Sequence, residues 1–202
     1  MPTSVSAQYE WQKIPERVNH DTIVQIDTDY AQGTGVVIKN FDDSAWILTC
    51  AHVGLQCGGK ALQITYRDGT VVEGILIEWN MSKDTALIKV PKTDIQAVEI
   101  YEGELVPGDR LEAVGLGGGV KVTGDQVRRF TFLAAKCTAR RKTLMADEFV
   151  IPGDSGGPIF KDGKLVGMIS AGYFKVRRPF KPMNIWGLVA VPLDAIEEIL
   201  ED

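Results

Sequence analysis

Leu62-Gln63-Ile64-Thr65-Tyr66-Arg67, then Asp68-Gly69-Thr70, then Val71-Val72-Glu73-Gly74-Ile75-Leu76-Ile77-Glu78-Trp79, reads as strand, turn, strand. Both runs are rich in β-branched and aromatic residues, which suit a pleated, half-buried surface. The Asp-Gly pair between them tolerates the left-handed backbone that a tight hairpin needs. Lys161-Asp162-Gly163-Lys164 repeats the turn signal. Working outward, strand-like composition recurs at residues 22–27, 35–39, 46–50 and 86–90. It returns at 110–116, 127–137, 148–151, 158–160, 165–171 and 185–191. A dozen short strands at this spacing predict an all-β chain built as a sandwich or barrels. They divide six and six near residues 93–108.

One helix is expected, over residues 192–200. It opens with Pro192, carries Asp194 in its first turn, and repeats apolar residues at Leu193, Ile196, Ile199 and Leu200. The length of 202 residues and the mass of 22.1 kDa suit one sizeable domain or two small, tightly packed units. Hydrophobic residues at 45% and charged residues at 24% exclude disorder over most of the length. The net charge of −5 argues against general nucleic-acid binding. Residues 1–100 carry 8 basic and 13 acidic side chains, and residues 101–202 carry 14 of each, so the two halves present different surfaces. Three cysteines, Cys50, Cys57 and Cys137, make no disulfide framework and fit a reducing compartment. Neither a secretory signal pattern nor an apolar run of about 20 residues is visible. A soluble, cytoplasmic protein with no membrane partner is the expectation.

The chemistry centres on Pro152-Gly153-Asp154-Ser155-Gly156-Gly157-Pro158. Glycines on both sides of a serine allow a tight turn that exposes the hydroxyl. Such a turn also gathers successive backbone N–H groups around one point, where they can hold a developing oxyanion. A serine hydroxyl needs a base to become a nucleophile. His52 follows the apolar run Trp46-Ile47-Leu48-Thr49-Cys50-Ala51 and is placed for acid–base work. An imidazole needs a carboxylate to fix its tautomer. Asp84 stands at the mouth of the apolar strand Ala86-Leu87-Ile88-Lys89-Val90. Each residue has a plainer reading: a glycine-rich turn, a satisfied strand-end histidine, a capping aspartate. Their joint occurrence, each beside an apolar strand, is what points to chemistry.

His20 has polar neighbours and is expected at the surface. Cys50 is read as a small buried filler. Gly115-Leu116-Gly117-Gly118-Gly119 lacks the third glycine and the Lys-Ser/Thr of phosphate loops, so it is read as a turn. No Cys/His spacing supports zinc. No metal and no cofactor are expected.

Four blocks together resemble the chymotrypsin-like serine proteases, and within them the disulfide-free HtrA-type protease domain. They are Gly33-Thr34-Gly35-Val36-Val37-Ile38, Ile47-Leu48-Thr49-Cys50-Ala51-His52-Val53, Asp84-Thr85-Ala86-Leu87-Ile88-Lys89-Val90, and the serine block. The resemblance implies a single domain, residues 1–202, of two six-stranded antiparallel barrels (20–100 and 101–191) with a C-terminal helix (192–202). The active site would lie between the barrels. By the same resemblance His52 is general base and then acid, Asp84 orients it, and Ser155 attacks the peptide carbonyl. The N–H groups of Gly153 and Ser155 would form the oxyanion hole. Ser170, Ala171 and Gly172 would pair with a polypeptide substrate. Phe149, Gly172 and Gly187 would line an apolar pocket for a small or medium aliphatic residue.

The chain departs from its relatives in two places. Val53 follows His52 where cystine-stapled members have cysteine. Asp154 precedes Ser155 where HtrA-type domains commonly have asparagine. In zymogen-activated relatives such an aspartate pairs with a newly made terminal amine, which cleavage after Arg17 would supply here at Val18. The basic stretch 174–182 and Arg140-Arg141-Lys142 are read as solvated loops. The alternatives are a protease-fold module that binds peptide without cleaving it, or a latent protease awaiting an activating partner. An esterase of the α/β-hydrolase type is disfavoured, because there the serine comes first in the chain.

Overall fold

The computed structural model describes residues 11–13, 20–28, 31–55, 61–106, 108–124, 126–133, 145–146, 150–174 and 186–192. After a three-residue strand β1 (Trp11–Lys13) come β2 (Ile23–Asp27), β3 (Gln32–Asn40), β4 (Ser44–Thr49), a one-turn helix α1 (Ala51–Gly54), β5 (Leu62–Thr65), β6 (Val71–Asn80) and β7 (Thr85–Pro91). Strands β2 to β7 close a six-stranded barrel in the order β2-β3-β4-β7-β6-β5, with β2 pairing β5 to complete it. The predicted turns take the backbone their residues favour. Gly69 has φ +90°, and Asp68 accepts the Thr70 N–H at 2.8 Å. Asp162 (φ 52°) and Gly163 (φ 82°) are both left-handed, as a two-residue hairpin between twisted strands requires.

The second half forms β8 (Arg110–Gly115), β9 (Gln126–Leu133), β10 (Met145–Ala146), β11 (Pro158–Lys161), β12 (Lys164–Phe174) and β13 (Trp186–Pro192). With β1 they make a seven-stranded sheet, β1-β9-β8-β11-β12-β13-β10. Among the described residues this sheet is open, where a second closed six-stranded barrel is predicted. β1 joins by pairing Trp11 with Arg128 on β9. Three residues are too few to show a period, which is why sequence reading passes over them.

Two predicted elements end differently. Residues 150 and 151 of the predicted strand 148–151 are not strand, because Ile151 closes a turn: its carbonyl accepts from the Asp154 N–H at 3.1 Å. Pro192 closes β13 rather than opening a helix, and residues 193–202 of the predicted helix lie outside the described residues.

The core is continuous across the two halves. Ile23, Ile47, Leu48 and Leu87 of the barrel share one buried cluster with Val114, Phe160, Leu165 and Met168 of the sheet. The connecting segment straps them together. Val98 N–H donates to Val37 O at 2.9 Å, and Tyr101 N–H donates to Leu165 O at 2.9 Å. Within the barrel, Thr49 at the end of β4 pairs with Ala86 at the start of β7. Residues just after β4 and just before β7 are therefore spatial neighbours, which brings His52 to Asp84.

Candidate active site

His52 lies in α1, which follows β4 after a single extended residue, Cys50 (φ −75°, ψ 144°). Asp84 takes a left-handed backbone (φ 56°), a conformation aspartate tolerates better than most residues. That geometry lets one carboxylate meet His52 twice. Asp84 Oδ1 accepts the His52 backbone N–H at 3.0 Å, and His52 Nδ1 lies 2.9 Å from both Oδ1 and Oδ2. The Ser170 hydroxyl also donates to Oδ2. Burial pushes the Asp84 carboxyl up, but the bonds from the His52 ring, Ser170 and the His52 amide outweigh it and leave it below its ordinary range. With a proton on Nδ1 held by Asp84, the ring carries its lone pair on Nε2.

The resemblance implies that Ser170 pairs with the substrate backbone. It lies at a bulge in β12, where the register with β13 shifts between Ile169 and Ala171. A bulge turns a side chain out of the alternation of the strand, and here it delivers the hydroxyl to Asp84. Cys50 is fully buried, and its thiol donates to Ile169 O at 3.1 Å. Burial and the nearby Asp84 charge push that thiol well above its usual pKa. Cys50, His52 and Asp84 bring ligand-type atoms within 4.8 Å of one another. A protonated thiol committed to a carbonyl, and an Nδ1 committed to a carboxylate, describe a hydrogen-bonded network better than a metal set.

The Ser155 turn is packed against this strand end. Gly156 N–H donates to Ile169 O at 2.8 Å, the same carbonyl that accepts from Cys50. Gly156 has φ +86°, and a Cβ there would collide with the Thr34 carbonyl, so the turn comes this close only with glycine. Thr34, fully buried on β3, ties the turn to the barrel. Its N–H donates to Ser155 O at 2.9 Å, and its hydroxyl donates to Gly153 O at 2.7 Å while accepting from Leu116 N–H at 3.1 Å. Sequence reading uses the Gly33-Thr34-Gly35 block but does not single out Thr34. The available signal was a threonine between two glycines at the head of an apolar run, Gly33-Thr34-Gly35-Val36-Val37-Ile38.

Ser155 is half-buried. Among the described residues its hydroxyl makes no hydrogen bond to His52, and the N–H groups of Gly153 and Ser155 donate to no protein acceptor. The structure therefore joins His52 directly to Asp84 and sets Ser155 on the adjoining turn.

Asp154 faces inward and is fully buried. Its carboxylate accepts from Gly117 N–H at 2.8 Å and Ile151 N–H at 3.0 Å, and it forms an ion pair with Arg128. Burial pushes its pKa up against the opposing pull of Arg128 and the two amides. Arg17 and Val18, the expected source of a pairing amine, lie outside the described residues, and Asp154 finds its cation in Arg128.

Ala171 and Gly172 sit on β12 opposite Val189 and Leu188, and Gly187 sits on β13 opposite Tyr173. Phe149, the expected pocket floor, lies outside the described residues, as do Arg140-Arg141-Lys142 and residues 175–182 of the basic stretch. His20 is a correction. It is 3% exposed rather than a surface residue, and both ring nitrogens lack a hydrogen-bond partner. Burial, reinforced by Arg129 and Arg67, lowers its pKa to about 4. Its polar sequence neighbours do not report its position: it opens the short 3₁₀ turn His20–Thr22 that leads into β2, where it and Thr22 are buried.

The family model described as a trypsin-like peptidase domain matches residues 33–168, which span the His52, Asp84 and Ser155 blocks. The chain belongs to that family. Among trypsin-like relatives, an HtrA-like serine protease of Staphylococcus haemolyticus is 30% identical over 93% of this chain. An HtrA-like serine protease of Staphylococcus aureus is 28% identical over 84%. The chain spans 31% and 23% of those two relatives' lengths. The solved structure of a serine endoprotease from Yersinia pestis shares the fold, with a TM-score of 0.72 at 20% identity, covering 92% of this chain and 63% of that one.

Proposed function

We propose that this trypsin-like domain is a serine endopeptidase using His52, Asp84 and Ser155. The supporting observation is the His52 imidazole, held by both oxygens of Asp84 at 2.9 Å beside a glycine turn whose Gly153 and Ser155 N–H groups are unspent. In this reading Ser155 Oγ attacks the peptide carbonyl as its proton passes to His52 Nε2. The Gly153 and Ser155 N–H groups hold the oxyanion. His52 returns the proton to the leaving amine, and an acyl-enzyme remains on Ser155. His52 then deprotonates a water, which attacks the ester and releases the acid, restoring Ser155. Asp84 keeps its charge throughout and stabilises the imidazolium.

Substrate would dock as an added strand. Beyond Ile169, whose N–H and carbonyl are bonded to Gly157 and Gly156, β12 pairs only with β13 among the described residues, so residues 170–174 offer one open edge. We read the second sheet as the second barrel of the fold, and the pocket as apolar, accepting a small or medium aliphatic residue. The test is a cleavage profile on a proteome-derived peptide library. Wild type is expected to cut after aliphatic residues and Ser155→Ala to cut nothing. Cleavage retained by Ser155→Ala overturns the mechanism, and a profile dominated by arginine or lysine overturns the pocket.

The lack of a Ser155–His52 hydrogen bond supports one second reading, a latent enzyme whose nucleophile and base tighten when substrate or a partner binds. In that case library cleavage appears only after such a partner is added.

A further inference from the structure

We infer that Arg128 is a positioning residue that holds the Ser155 turn in its working shape from inside the fold. The inference rests on the reading of Ser155 as nucleophile. Asp154 stands between Gly153 and Ser155, so whatever fixes its side chain fixes the direction of the two N–H groups that flank it. Three groups fix it, and none belongs to the turn's exposed face: the Gly117 N–H, the Ile151 N–H and the Arg128 guanidinium. Arg128 projects from β9, a strand paired on both sides, with Gly115 of β8 opposite Arg128 in register and Trp11 of β1 on the other edge. Its side chain is 8% exposed, and the Asp154 side chain is 0% exposed.

The socket is shaped for one carboxylate. A Cβ at Gly115 or Gly117 would run into the Asp154 side chain, and one at Gly153 would meet the Gly117 backbone at 2.9 Å. The glycine stretch 115–119, which fails as a phosphate loop, here leaves room for a buried anion. A carboxylate this deep stays charged only beside a matching cation. With Arg128 present the turn is tethered to the sheet, and Gly153 keeps its left-handed backbone (φ +102°) with its N–H free. Without Arg128 the anion is driven outward, and because Asp154 stands between Gly153 and Ser155, the turn moves with it. The cation is part of the chain, so the turn needs no new terminal amine.

The test compares Arg128→Met, Arg128→Lys and the double variant Arg128→Met/Asp154→Asn in the full chain. Peptidase kinetics and amide hydrogen exchange of the peptides covering residues 115–119 and 151–158 are the readouts. Loss of one oxyanion donor costs roughly 10²–10³-fold in kcat, so Arg128→Met is expected to lower kcat by about 10²-fold with KM changed less than about threefold. Arg128→Lys keeps a cation and is expected to fall between. The double variant, with no buried charge to expel, is expected to recover at least about tenfold over Arg128→Met. Exchange in both peptides should quicken in Arg128→Met while the barrel peptides stay protected, and this arm reads the socket even if wild type proves inert. A wild-type chain without peptidase activity would sink the endopeptidase reading alone. Unchanged kcat and unchanged exchange in Arg128→Met would overturn the positioning role. So would a double variant no better than Arg128→Met.

Discussion

Asp84 and Asp154 are both carboxylates drawn away from water beside the proposed site, and they are held in opposite ways. Asp84 keeps 21% of its side chain exposed and is met by an imidazole and a hydroxyl, which leave its pKa lowered. Asp154 is sealed, paired with a guanidinium, and its pKa is raised because burial outweighs that partner. The first arrangement suits a charge that must respond to a proton arriving on its neighbour. The second suits a charge whose work is to stay where it is. In the proposed mechanism partly open hydrogen bonding supports chemistry, and full burial supports architecture.

The largest effect that could break this contrast is at His52. His52→Ala should lower kcat/KM at least about 10⁴-fold, since members of such a set act as a unit. A loss of less than about tenfold, in the steady-state cleavage of the best library peptide, would mean that Asp84 orients nothing of consequence.

Next in size is the acid sensitivity of folding. His20 has a folded pKa of about 4 against an unfolded value near 6.5, so the stability from keeping it neutral is complete above pH 6.5 and is lost as pH falls toward 4. The loss is about 3 kcal/mol. Asp84, with a lowered pKa, gives up its share only below the ordinary carboxylate range near 3.8, so the two windows separate. Urea midpoints measured from pH 7 to pH 4 should fall in wild type and stay much flatter in His20→Leu. Equal slopes would assign the acid loss elsewhere.

A smaller effect is expected at Thr34. Thr34→Val removes the hydroxyl that serves Gly153 O and Leu116 N–H, leaving both buried without it. The cost should be about 2 kcal/mol by chemical denaturation, the scale for orphaned buried polar groups. A change below about 0.5 kcal/mol would show that the turn does not depend on the barrel through this residue.

The smallest effect sharpens the account of Cys50. Its raised pKa and burial predict that iodoacetamide at pH 8 leaves Cys50 unmodified in the native protein and labels it after unfolding, by peptide mapping. Rapid native labelling would place the thiol at the surface.

How much of this was legible in the sequence follows the same division. His52 and Asp84 could be read because each adjoins an apolar strand, and β4 and β7 pair with Thr49 opposite Ala86, so short-range pattern carries the geometry. The Ser155 block was legible from its glycines. Thr34 and Arg128 were not read as site residues, and Ser170 was read only as a substrate-pairing residue and not as a partner of Asp84, because each acts across 80 residues or more, or through a bulge or a buried charge pair that local composition does not display. Arg128 stands beside Arg129 in a strand, where two arginines look like a solvated edge. Only the fold shows that one of them turns inward to Asp154 and the other pairs with Glu112. His20 was misread for a related reason, since polar neighbours in sequence say little about whether the fold buries a residue. The hairpin turns at 68–69 and 162–163 were legible because their backbone is set by the residues themselves.

The most direct test of the central claim is the site and stoichiometry of fluorophosphonate labelling, read by peptide mapping. The account predicts one adduct per chain on Ser155, lost in Ser155→Ala and slowed severely in His52→Ala. An adduct on another residue, or labelling of Ser155 at the same rate without His52, would contradict it.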